Sequence, residues 1–65
     1  MANKVEQYVI RNADGSRYVY YKTDKDNYYY YHVYDGKYGQ TIGNKVRINV
    51  NTYELFKKCG EMITV

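Results

Sequence analysis

The stretch Val5–Tyr34, VEQYVIRNADGSRYVYYKTDKDNYYYYHVY, decides the fold. Within it, Val5–Arg11 and Arg17–Lys22 are rich in β-branched and aromatic residues, which suit a half-buried pleated surface. Between them, Asn12-Ala13-Asp14-Gly15 has the composition of a type I turn closed by a left-handed glycine. The spacing predicts a β-hairpin. The next link, Asp24-Lys25-Asp26-Asn27, reads as a repeat of that turn with Asn27 in the left-handed position, which asparagine tolerates. It leads into a third strand, Tyr28–Tyr34.

With the turns so placed, alternating side chains fall on two faces. One face carries the cross-strand rows Val9/Val19/Val33, Gln7/Tyr21/Tyr31, Val5/Thr23/Tyr29 and Arg11/Arg17/Asp35. The other carries Ile10/Tyr18/Tyr34, Tyr8/Tyr20/His32 and Glu6/Lys22/Tyr30. Glu6 opposite Lys22 and Arg17 opposite Asp35 are complementary pairs, each worth roughly 0.2–1 kcal/mol, and they argue for this register.

Downstream, Asp35-Gly36 suits a tight type I′ turn, and Gly39, Gly43 and Asn44 make residues 37–44 a glycine-loosened strand or a loop. Val46, Ile48 and Val50 alternate with Arg47 and Asn49, the pattern of a half-buried strand. Asn51 with Glu54 fits a capping box, Lys57 and Lys58 sit where the helix dipole favours cations, and Gly60 suits the stop. This predicts a helix over Thr52–Cys59. A helix that short does not persist alone in water, so it must dock, through Leu55, Phe56 and Cys59. Met62, Ile63 and Val65 then tuck behind it or add a last short strand.

The expected fold is α+β: a small antiparallel meander of four or five strands, flat or curled toward a barrel, with one short C-terminal helix. The valine row is the expected floor for the helix because it needs no hydrogen-bond partners. Val9, Val19, Val33, Val46, Ile48, Leu55 and Phe56 are the expected core.

A chain of 65 residues forms one domain, 1–65, because at this size folding hides only about 60% of the surface and no second core fits. A single cysteine, Cys59, permits no internal disulfide, which favours a reducing compartment or stabilisation by self-association. No run approaches the ~18 apolar residues of a membrane span, and the first ten residues lack the apolar core of a signal peptide. A cytoplasmic protein is expected, without a membrane partner. The net charge of +3 is spread among interspersed signs, unlike the one-sided field of a duplex-DNA binder.

Catalytic and metal chemistry find few residues to work with. His32 is the one histidine and Cys59 the one thiol, too few for a zinc site within one chain. Ser16 and the carboxylates of Asp14, Asp24, Asp26 and Asp35 all fall at turns, where turn chemistry explains them. GKYGQTIGNK, residues 36–45, lacks the spacing of a phosphate loop. No enzyme activity, metal, cofactor or small-molecule substrate is expected.

With the helix on the valine floor, the opposite face displays Tyr8, Tyr18, Tyr20, Tyr30, His32 and Tyr34. Tyrosine offers large contact area with a tip that water satisfies, and it is enriched where interfaces concentrate binding energy. The face is therefore read as protein-binding, for self-association or for blocking a larger protein partner, in the manner of an accessory or inhibitor protein of a phage or mobile element. The alternative is single-stranded nucleic acid stacking on the same face, with Lys22, Lys37, Lys45 and Arg47 holding phosphates. Blander readings are a barrel that buries the tyrosines, or A/T-rich codon usage supplying the eleven tyrosines as ordinary strand formers.

Overall fold

In the computed structural model, which describes residues 2–65, β1 (Lys4–Arg11) and β2 (Arg17–Thr23) form the first hairpin in the expected register from Glu6 to Arg11, with Val9 opposite Val19 and Glu6 opposite Lys22, while a bulge puts Lys4 instead of the expected Val5 opposite Thr23. Gly15 takes the left-handed conformation at φ 91°. Asp14 locks the turn by accepting hydrogen bonds from the Ser16 amide at 2.9 Å and its hydroxyl at 2.6 Å. Those bonds, the hydroxyl's first, hold the Asp14 carboxyl below its ordinary pKa.

The second hairpin joins β2 to β3 (Tyr28–Gly36), and here the register differs from the expected one by two residues. Val19 lies opposite Tyr31 instead of Val33, and Arg17 opposite Val33 instead of Asp35. The cause is one turn position. Asp26, at φ 59°, is the left-handed residue in place of Asn27, so Thr23 and Asn27 close the loop through a 2.9 Å main-chain bond. Because the displacement is even, every β3 side chain keeps its face.

β3 runs through Gly36, so the turn falls at Lys37-Tyr38 and not at Asp35-Gly36. β4 (Gly39–Ile42) and β5 (Val46–Ile48) then pair with successive parts of β3's outer edge. Gly43 still bonds the His32 carbonyl at 2.8 Å, but Asn44 and Lys45 supply one residue too many for the ladder. This bulge flips the side-chain parity. Ile42 shares a face with Val33, whereas Val46 and Ile48 share one with Tyr30 and Tyr28.

The helix α1 spans Val50–Lys57, starting before the expected Thr52 because Asn49 is the cap, its side-chain oxygen accepting from the Thr52 amide at 2.8 Å. The chain ends in β6 (Glu61–Ile63), which pairs with β1. Among the described residues the sheet has six strands, ordered β4-β3-β2-β1-β6 with β5 also paired to β3, and it does not close. Helix α1 thus straps the sheet from the β5 edge to the β6 edge.

That strap lies over the tyrosine face, not over the valine row. Its anchor is Tyr53, fully buried against Tyr8, which is fully buried as well. Leu55, expected in the core, is 61% exposed; Val46 and Phe56 are partly exposed. Val9, Val19 and Val33 are still buried as a second cluster, covered by neighbouring side chains such as Tyr31. The open-face arrangement expected for Tyr8 and Tyr20 is thereby corrected: both belong to the core beneath α1.

Candidate functional site: an aromatic groove beside the helix

Cross-strand pairing puts Tyr8, Tyr20 and Tyr30 in one row. Their rings stack, with centroids 5.0 Å apart for Tyr8–Tyr20 and 5.3 Å for Tyr20–Tyr30. The helix rests on this row through Tyr53, 5.1 Å from Tyr8, and Phe56, 5.5 Å from Tyr20. Polar atoms are matched as the rings are buried. The Tyr8 hydroxyl donates to the Tyr53 carbonyl at 2.6 Å, and the Tyr53 hydroxyl donates to Glu6 Oε1 at 2.9 Å. Lys57 completes the clamp with its ammonium 3.0 Å from Glu6 Oε1 and 3.1 Å from Oε2.

These contacts set the electrostatics. Bonding from Lys57 lowers the Glu6 carboxyl's pKa, and the same bond raises that of the Lys57 amine. Burial pushes the phenols of Tyr8, Tyr20, Tyr21 and Tyr53 upward, so they are neutral at any physiological pH.

Helix α1 covers only part of the face. Beyond Phe56 a groove of about 760 Å³ opens between the helix and the sheet. Half-buried Tyr18 and Tyr30 and buried Tyr20 form its floor, Val46 and Ile48 one wall, and Phe56 the other. Its polar lining is limited to Asn12, Thr52, Cys59 and the tyrosine hydroxyls, and no residue lining it carries a formal charge.

The six tyrosine-face residues read from the sequence therefore divide. Tyr8 and Tyr20 support the helix, Tyr18 and Tyr30 line the groove, and His32 stacks between Tyr18 at 4.8 Å and the exposed Tyr34 at 5.1 Å. His32 Nε2 is buried and has no hydrogen-bond partner among the described residues. The four cations do not gather at this groove. Lys22 pairs with Asp26 at 3.6 Å, and Lys37 lies over Tyr38 at the β3–β4 turn. Lys45 lies over Tyr29, and Arg47 donates to Asn27 at 2.9 Å.

Sequence reasoning missed Tyr53, Val46 and Ile48 as members of this site. Tyr53 is three positions before Phe56, a spacing that puts both on one side of a helix, and that signal was available. The side taken by Val46 and Ile48 depends on the bulge, which has no comparable signature. Comparison with known proteins returns no matching family model, no matching curated protein and no matching solved structure.

Proposed function

We propose that the chain is a non-enzymatic protein-interaction module whose groove receives an apolar or aromatic side chain from a protein partner or from a second copy of the chain. The carrying observation is the uncharged, largely apolar lining of a concave surface beside the partly exposed Phe56 and Val46. A phosphate backbone has no cation to meet there, which turns this groove away from nucleic acid. Blocking a larger protein, as accessory and inhibitor proteins do, needs no more than such a surface. A cytoplasmic setting, in which the exposed Cys59 stays a thiol, fits this reading.

The test titrates N-acetyl-tryptophanamide into the labelled protein and follows its NMR spectrum, beside sedimentation at micromolar concentration. Shifts concentrated at Tyr18, Tyr30, Val46 and Phe56, weakened by Val46→Gln, are expected. If the probe moves residues elsewhere and any self-association ignores Val46→Gln, the groove is not the interface.

A further inference from the structure

We propose that the sheet face opposite α1 binds single-stranded nucleic acid, stacking bases on Tyr29 and Tyr31. This goes beyond the groove reading and does not depend on it, since it concerns the other side of the sheet.

The strand registers put these two tyrosines beside Tyr21 on the side that no helix covers. Tyr21 is buried and backs the two half-buried rings, stacked on Tyr29 with centroids 5.4 Å apart and 6.0 Å from Tyr31. Cations flank them from both sides. Lys4, on β1, places its ammonium 4.7 Å from the Tyr21 ring and 5.5 Å from Tyr31. From the other side, Lys45 stands 5.1 Å over Tyr29, and exposed Arg47 pairs with Tyr29 across the ladder. Arg11 and Arg17 lie opposite each other on the same face, further along β1 and β2.

Charge complementarity selects the occupant. The face holds five cations, and by register its carboxylates are Asp35 and Glu61, the latter 3.7 Å from Arg11. From β1 to β5 the platform spans about 15 Å at ordinary strand spacing. A strand crossing it lays bases on the rings and phosphates against Lys4 on one side and Lys45 and Arg47 on the other. Each ammonium now over a ring makes the weaker contact; a phosphate draws it aside and a base takes its place. Stacking on tyrosine reads no sequence, so the ligand class is unpaired strand in general.

Fluorescence anisotropy with labelled single-stranded oligothymidine tests this. Affinity should fall with salt, and replacing Lys45 and Arg47 with glutamine should flatten the log–log salt slope by about one to two. Tyr29→Thr and Tyr31→Thr should each weaken binding about 5- to 150-fold at fixed salt, and phenylalanine at the same positions should restore it. Ultraviolet crosslinking of the unaltered protein, which needs no variant to fold, should map to Tyr29 or Tyr31. Absence of binding, a duplex of the same length bound as tightly, or crosslinks at Tyr18 and Tyr30 would each overturn the proposal. So would polyglutamate displacing the oligonucleotide at equal charge concentration, which assigns the face to an acidic protein.

Discussion

The hydroxyl of Tyr8 donates a 2.6 Å hydrogen bond to the main-chain carbonyl of Tyr53, tying the first strand to the helix across 45 positions of sequence. Both side chains are fully buried. Tyr8→Phe leaves that buried carbonyl without this donor, a loss of about 1–3 kcal/mol in urea denaturation. Tyr53→Ala removes the ring and the bond to Glu6 together, and should cost about 3–5 kcal/mol, comparable with the whole stability of so small a domain. Phe56→Ala should cost about half as much, because that ring is 37% exposed. Equal effects at Tyr53 and Phe56 would contradict the order of burial.

Gly60 lies against the face of Tyr8, where an added Cβ would land on the ring itself. Gly60→Ala should therefore destabilise by about 1–3 kcal/mol through overpacking, although its backbone is not in the left-handed region. Pairing it with Tyr8→Leu, which withdraws the ring, should recover part of the loss in a double-mutant cycle. Strictly additive losses would place the strain elsewhere.

Asp26 is the one non-glycine residue at positive φ among the described residues. Glycine relieves that conformation, so Asp26→Gly should raise stability by about 0.5–1 kcal/mol, the lost Lys22 pair being an exposed one of small worth. Asn27→Gly should bring no such gain, since Asn27 is not left-handed. Thermal melts of the two variants distinguish the two turn placements directly.

Stability should fall at both ends of the pH scale. The Glu6 pKa is depressed, chiefly by Lys57, so its contribution is complete above the ordinary carboxylate range and is lost as the pH drops below about 4. Glu6→Gln should flatten this acid limb. On the alkaline side, Tyr8, Tyr20, Tyr21 and Tyr53 hold their protons longer when folded, and so does Lys57. Their contribution is complete below about pH 10 and declines above it as the unfolded chain ionises first. Near-ultraviolet absorbance should show the tyrosinates of Tyr8, Tyr20, Tyr21 and Tyr53 appearing only as circular dichroism is lost.

The first hairpin was legible because its turn chemistry and alternation are local, and Gly15 leaves little choice of left-handed residue. The second was displaced because Asp26 and Asn27 tolerate that conformation nearly alike, and composition does not choose between neighbours. The side taken by the helix was illegible for another reason. An apolar valine floor avoids orphaned polar groups, but a tyrosine floor does so as well when Tyr8 reaches a helix carbonyl and Tyr53 reaches Glu6. Those partners are far apart in sequence, so no local pattern announces them. Of the candidate site, Tyr18 and Tyr30 could be read from alternation, whereas the groove's wall waited on the bulge before Val46.

The strap from β5 to β6 also orders events in time. β1, β2 and β3 meet through short turns, whereas Gln7 meets Ile63 only after nearly the whole chain has been gathered in. Loop closure of that length is entropically costly, so the three-stranded meander forms early and the helix seals it late. Substitutions in the two tight turns then act mainly on the folding rate. Substitutions in the Tyr8–Tyr53–Glu6–Lys57 clamp act mainly on the rate of unfolding, which makes the clamp the latch that sets how long the native state lasts.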